Sequence, residues 1–445
     1  MSYNLHKIAG IIQNIMNNTK EGMVGSEGYQ CVKTLSGAGS TIRIKGEGID
    51  FTGKMPDDAP PAVSIVNEGC DALTDVVREV LQDPQLREKV GQKAVEEQIA
   101  NFVQKHFGKP LAGEMAEVIK EEILKPLRSD IRPWNFIVPV VNLVVKTPLA
   151  IGPIRFVPEV TPIVDATRFL MDHTFGGSPF SQELSCATML KVIYNATNMS
   201  PAFAYVRIDA HPKHCEIRGC AVAELGINLL RSFTHVFYNH DQLVRFGLPS
   251  EVQNGLWWSL SLGLDEKHMF QAATAQRGTL FQFELDESKI DHLNKNCAFE
   301  EGVNILSRDP NDWNTFETAI IRSIQALGRS VVSHNHDQSF LGCTTAIERI
   351  LIPDGCETTV ERFSDRLALL IGAGKENRLW ISQTAKRLYD VRSQIVHAAV
   401  AGVTEEDYSM MEKFALRSII MALGMRKDFK NHDVFCSEIN ARKFE

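Results

Sequence analysis

Arg392 is the residue in this chain whose type and position most demand a chemical explanation. Ile381, Ala385, Leu388, Arg392, Ile395 and Ala399 follow one another in alternating steps of four and three, which places them along one inward-facing seam of a helix. A guanidinium in a core-facing seam is costly unless it is paired. Arg392 is therefore either matched by a carboxylate or aimed at a ligand anion in a cleft. Glu348 and Asp365 are the candidate carboxylates, each on the flank of a neighbouring apolar stripe. His397 follows five positions later, roughly 140° around the helix and about 7.5 Å along it. The two side chains share no face of a regular helix. To act on one phosphate they need a local distortion or a second copy of the helix.

The elements that position these residues read as a run of helices from Trp313 to near Met425. Trp313, Phe316, Ile320, Ile324 and Leu327 form one stripe behind Asp312 as N-cap. Cys343, Ile347, Ile350 and Leu351 form a second, and Thr358–Glu361 reads as a capping box that opens a third. The buried side of that third helix is Phe363, Leu367, Leu370 and Ile371, with Gly372 and Gly374 stopping it. The Arg392 helix runs from about Asn377 to Val400, and a further helix carries Met411, Phe414, Ala415, Ile419 and Ala422. Each is too short to stand alone, so the stripes must bury against one another as a bundle.

Upstream the pattern is mixed. A short helix at Ile8–Met16 precedes a Gly-rich stretch that ends at Pro60-Pro61, with one strand at Ser40–Ile44. Residues 64–126 read as amphipathic helices, with Leu73, Val76, Val77 and Val80, then Ile99, Phe102 and Val103, at helical spacing. Strands are expected at Phe136–Val145, Ile154–Val157, Phe203–Ile208, Trp257–Leu264 and Thr279–Leu285, with a helix from about His214 to Phe233. The fold class expected is mainly α with an α+β N-terminal region and a C-terminal helical bundle. Residues 1–126 would be an N-terminal helical region, 127–305 an α+β region and 306–445 the bundle domain.

The chain's 445 residues suit more than one domain, and 44% hydrophobic with 23% charged residues is ordinary for a globular protein. No apolar run reaches the length of a membrane span, and the start lacks a signal-peptide pattern, so a cytoplasmic location is expected. The 9 cysteines are scattered, with no C-x-x-C pair, as in a reducing compartment. A net charge of −8 argues against non-specific nucleic-acid binding by the whole chain, so an RNA site would be local or made by assembly.

The stretch Tyr389–His397, Y-D-V-R-S-Q-I-V-H, resembles the R-x4-6-H signature of the HEPN superfamily, including the polar Ser393 after the Arg. The wider chain resembles the Apea-like HEPN group: Ala346–Leu351 is similar to its second-helix pattern, Arg366–Leu370 to its R-x-A-x-L helix, and Leu388–His397 to its core motif. The resemblance covers most of 312–425. Two departures stand out: Ala398 replaces the Gly that commonly follows the His, and Ala399 stands where toxins of HEPN–nucleotidyltransferase pairs carry Tyr. The resemblance implies a C-terminal HEPN bundle that cleaves RNA with no metal and no cofactor. A ribose 2′-OH attacks the adjacent phosphate and leaves a 2′,3′-cyclic end. An imidazole such as His397 moves the proton. A guanidinium such as Arg392 holds the phosphate oxygens through a fork of donors. Ser393 would bond a phosphate oxygen or steady His397, with Glu348, Asp365 and Tyr389 in support. RNA, and a second copy of the chain in a homodimer or even-numbered oligomer, are the implied partners. The group's association with prokaryotic anti-phage defence implies a restrained effector released by a phage-derived or cellular trigger, and residues 1–305 would sense or restrain. The alternative reading is a non-catalytic RNA-binding or dimerisation scaffold.

Weaker features have blander readings. His211, His214, Cys215 and Cys220 offer zinc-type ligands for a metal-dependent hydrolase, against a turn leading into a helix. His334–Asp337 reads as a solvated linker, and Arg426, Lys427, Lys430, Arg442 and Lys443 as a solvated basic tail. Trp257-Trp258 reads as core or interface.

Overall fold

The computed structural model describes residues 5–21, 32–36, 39–43, 63–66, 68–109, 114–158, 202–238, 244–252, 257–264, 270–277, 282–333, 335–356, 359–398 and 402–444. The chain is mostly helical, with β-structure concentrated in its N-terminal half. It divides into two compact units, Met1–Phe136 with Arg207–Gly219, and Ile137–Val206 with Cys220–Glu445.

In the first unit, helix α1 (Leu5–Asn17) leads into strand β1 (Thr19–Glu21). Strands β2 (Val32–Ser36), β3 (Gly39–Arg43) and β4 (Val63–Val66) complete an antiparallel sheet in the order β1-β4-β2-β3, with Thr19 opposite Ile65 and Val32 opposite Val66. Helices α2 (Glu68–Val80) and α3 (Gln92–His106) follow. Two short helices, α4 (Met115–Ile119) and α5 (Lys125–Ser129), are joined by a π-helical turn at Lys120–Leu124. The stripes expected from spacing make the core: Ile8, Ile12 and Ile15 of α1 meet Leu73, Val76, Val77 and Val80 of α2 and Ile99, Phe102 and Val103 of α3. Ser40–Arg43 falls in β3, and Ile44 lies outside the described residues.

The apolar run from Trp134 splits into β5 (Arg132–Val140) and β6 (Leu143–Val145) because Asn142 turns the chain with φ of 59°. Strands β7 (Leu149–Ile151), β8 (Ile154–Val157) and β9 (Ala202–Ala210) follow, and the sheet runs β5-β9-β8-β7. The chain passes from one unit to the other within β5, within β9 and again between Gly219 and Cys220. Helix α6 (Cys215–Ser232) comes next. A hairpin of β10 (Trp257–Leu264) and β11 (Phe270–Arg277) and a short β12 (Phe283–Leu285), parallel to β6, complete the strands described. The side chains of Trp257 and Trp258 lie outside the described residues, as does the first part of the strand expected at Thr279–Leu285. Helices α7 (Glu287–Cys297) and α8 (Phe299–Leu306) occupy a stretch where sequence patterning gave no helix.

The second unit is dominated by a bundle: α9 (Thr315–Val332), α10 (His336–Leu351), α11 (Val360–Ile371), α12 (Gly374–Ala398), α13 (Glu405–Gly424) and α14 (His432–Ala441). The apolar stripes expected for α9, α10, α11 and α13 are buried, apart from Trp313, which is half-buried. Their starts differ in detail. Asn314, not Asp312, caps α9: its side chain accepts from the Phe316 and Glu317 amides while Glu317 reaches back to the Asn314 amide. That reciprocal box satisfies more orphan donors than Asp312 can, and it leaves Trp313 outside the helix with its indole N–H donating to the Ile305 carbonyl. Thr359 alone caps α11, and Thr358 lies outside the described residues. Asn335 caps α10, so most of the expected linker 334–337 is a helix start; His334 itself is not described.

Between the expected solvated cations the chain forms α14, while Lys427, Lys430 and Lys443 themselves are exposed. Phe435, Cys436 and Ile439 are buried, and His432 Nε2 bonds the Ile350 carbonyl at 2.6 Å. Arg426 is held by Glu301 and Glu317, and Lys427 by Glu301. Burial alone would raise the Glu317 carboxyl, but Arg308, the Asn314 amide and Arg426 together hold it below the ordinary range. Helix α6 packs tightly on α9: a Cβ at Gly328 would lie 2.6 Å from Asn228 Cβ, and Ser232 Oγ donates to the Ile324 carbonyl. Fully buried Arg231 donates to the Phe246 carbonyl and to both oxygens of Glu251. Burial pushes the thiols of Cys343 and Cys436 up, the latter to about 12.

Candidate functional site

Helix α12 positions the Arg–His motif. Gly374, at φ of 75°, opens the helix rather than closing the one before it. Through its first half the expected seam is packed: Ile381, Ala385 and Leu388 are buried. Past Tyr389 the packing thins. Arg392, Ser393 and Ile395 are half-buried, Val396 is 47% exposed and His397 is exposed. Ala399 and Val400, the expected end of the helix, lie outside the described residues. The seam thus begins in the core and ends at a surface, with Arg392 where one gives way to the other.

At that position Arg392 has the company expected of it. Its Nη2 stands 3.9 Å from Glu348 Oε1, with 27% and 18% of the two side chains exposed. The Tyr389 hydroxyl donates to the same Glu348 oxygen at 3.1 Å. The guanidinium carbon lies 5.4 Å from the centroid of the Tyr389 ring, which also packs against Phe363 with ring centroids 4.9 Å apart. Burial, and next the Glu348 charge, push the Tyr389 hydroxyl up against the opposing pull of Arg392. Tyr389 therefore stays a donor, and Glu348 is fixed by it at one oxygen. Glu348 steadies Arg392 by charge without consuming its hydrogen bonds, since 3.9 Å is beyond hydrogen-bond reach. The fork of N–H donors remains available to an anion.

Asp365 is not part of this cluster. It accepts from Ser382 Oγ at 3.4 Å and pairs with Lys443 at 3.2 Å. The packing of α14 delivers Lys443, and the reading of that segment as a free tail concealed it. Ser393 is half-buried beside Arg392 in sequence and forms no side-chain hydrogen bond among the described residues. His397 likewise has no hydrogen-bond or ion-pair partner among the described residues. Helix α12 is α-helical without interruption from Gly374 to Ala398, so Arg392 and His397 keep the roughly 140° separation of a regular helix. The fold of one chain brings Arg392, Glu348 and Tyr389 together and leaves His397 apart.

The second candidate does not assemble as ligands. His211 Nδ1 accepts from the Lys213 amide, and Cys215 Sγ donates to the Pro212 carbonyl at 3.1 Å. Pro212–His214 is a 3-10 turn leading into α6. Among the described residues no group of three or more His, Cys, Asp or Glu side chains is placed to hold a metal ion, and no helix is long and apolar enough to cross a membrane. Compared with known protein families, with curated proteins and with solved structures, the chain matches none.

Proposed function

We propose that the helical bundle of the second unit is a metal-independent endoribonuclease of the HEPN type. The observation that carries this reading is the state of Arg392: half-buried, steadied by Glu348 at 3.9 Å, and with its donors not consumed. A guanidinium so held is suited to grip the two non-bridging oxygens of a phosphate and to stabilise the charge that grows there during attack. The ribose 2′-oxygen forms the new bond to phosphorus and the 5′-oxygen leaves. His397 takes the 2′-OH proton or delivers one to the leaving oxygen. Ser393 adds a hydroxyl beside the gripped phosphate. Following the resemblance to the Apea-like group, the nuclease acts in anti-phage defence and is restrained until a trigger arrives, a step that rests on family analogy.

A second reading has an observation of its own. Because Arg392 and His397 diverge on α12, one chain does not hold both at one phosphate, and a scaffold that binds RNA or a second copy without cutting is consistent with that geometry. The two readings part in one experiment. Purified protein is incubated with RNA in excess EDTA, beside His397→Ala, and the RNA ends are mapped. The nuclease reading expects 2′,3′-cyclic or 3′-phosphate ends from the wild type alone. RNA left intact both by the folded wild type and in phage-challenged cells that express it, or cleavage that returns only with a divalent ion, overturns it.

A further inference from the structure

The first unit contains a cleft of about 370 Å³ between α3, the start of β5 and the 3-10 turn at Pro212–His214. That volume lies within the usual range for small-molecule sites, which starts near 300 Å³. Its floor carries His211, which is 7% exposed. The Lys213 amide donates to His211 Nδ1. The neutral imidazole therefore carries its proton on Nε2. Nε2 is 3.7 Å from Asp130 Oδ2, too far for a hydrogen bond, so that N–H has no acceptor among the described residues. Burial pushes the His211 imidazole down against the pull of Asp130, which keeps it a neutral donor at neutral pH.

Arg132 is at the rim. Its guanidinium carbon lies 4.6 Å from the centre of the Trp134 ring, and the indole N–H is itself fixed on the Ala210 carbonyl. The ring holds the guanidinium by its charge. Among the described residues the Arg132 side chain has no hydrogen bond or ion pair. Lys213, by contrast, is taken by Glu97. The cleft thus has one edge of unused donors, Arg132 and His211 Nε2–H. It also has acceptors, because Ser129 Oγ donates its proton to the Pro126 carbonyl and keeps its lone pairs, and Asp130 is 60% exposed.

We propose that this cleft binds a small organic anion, a carboxylate or phosphate monoester that also carries an N–H or O–H donor. The anionic group sits against Arg132 and His211, and the donor is accepted by Asp130 and Ser129. A bare anion meets only half of these groups. The site is independent of the nuclease reading, and binding alone tests it.

The experiment is calorimetric titration of the full chain with ribose 5-phosphate, with L-aspartate and with sulfate, which carries no donor, repeated on Arg132→Gln and Asp130→Asn. The expected result is that ribose 5-phosphate or L-aspartate binds one per chain with Kd below about 1 mM. Which of the two binds distinguishes a phosphate from a carboxylate ligand. Each substitution should weaken it by about tenfold or more, with melting temperatures of the unliganded variants unchanged. Three results overturn the proposal: neither organic probe binds, sulfate binds as tightly as the organic probes, or Arg132→Gln binds as the wild type does.

Discussion

Arg392 stands 3.9 Å from Glu348, near enough for charge to hold it and too far for a hydrogen bond. Glu348 is itself tied by the Tyr389 hydroxyl. Replacing Glu348 by Gln keeps that hydrogen bond and removes only the charge. The expected outcome is an unchanged melting temperature with RNA cleavage slowed about tenfold, equivalent to roughly 1.4 kcal/mol of barrier. Undiminished cleavage by Glu348→Gln would show that the carboxylate does not position Arg392.

The fork of Arg392 is the part a lysine does not reproduce. Arg392→Lys keeps the charge and loses the paired donors, so cleavage should drop about 100-fold, as when an oxyanion donor is lost. Because the side chain is only half-buried, the variant should still fold. Circular dichroism establishes that before rates are compared. Full activity in a folded Arg392→Lys would sink the gripping role.

The uninterrupted α12 leads to a prediction about assembly. If two copies of the helix meet about a two-fold axis, each cleft receives Arg392 from one chain and His397 from the other. Arg392→Ala and His397→Ala, each inactive alone, should then regain part of the activity when mixed under subunit exchange. Sedimentation should show an even-numbered species. A monomer that cleaves at full rate would refute the shared cleft.

How much of this was legible in the sequence depended on periodicity. The seam through Ile381, Ala385 and Leu388 repeats for several turns, and so do the stripes of α9 and α10, so their buried faces could be read directly. The ten-residue α14 offers only Phe435, Cys436 and Ile439 between charged neighbours, too short a pattern to outweigh a basic tail. Asp365 shared the credentials of Glu348 in sequence, and only the packing of α14, which brings Lys443, separates the two. Arg231 went unnoticed because two of its partners, Phe246 and Glu251, are contributed by a segment with no regular structure. The Arg132–His211 cleft joins residues far apart in the chain, and no local spacing announces it.

Helix packing supplies a test of the fold itself. Gly328 faces Asn228 so closely that a methyl group meets backbone as well as side chain: its Cβ would lie 2.7 Å from Asn228 Cα. Gly328→Ala gains about 1 kcal/mol in helix propensity and should lose about 1–3 kcal/mol to overpacking. Chemical denaturation should show no net gain and as much as about 2 kcal/mol of net loss. A clear stabilisation would show that α6 and α9 do not pack this closely.

His432 predicts a pH effect with a definite sign. Burial lowers its pKa, only partly opposed by the Ile350 carbonyl that accepts from Nε2. The unfolded imidazole, near 6.5, then binds protons more readily than the folded one. Stability is full above about pH 6.5 and falls as pH drops below it, levelling off below the folded value. Melting temperatures of His432→Gln measured from pH 7.5 to 5 should decline less than those of the wild type. Parallel curves would exclude His432 as a source of acid sensitivity.

The contrast among the thiols makes the bundle a reporter on its own opening. Cys356 is exposed, whereas Cys343 and Cys436 are buried and their thiols are pushed up, leaving almost no thiolate to react. An alkylating reagent should modify Cys356 within the dead time of a mixing experiment. It should reach Cys343 and Cys436 only through unfolding excursions of α10 and α14. Mass shifts followed over time would resolve whether those two helices open together or one before the other, with no residue changed.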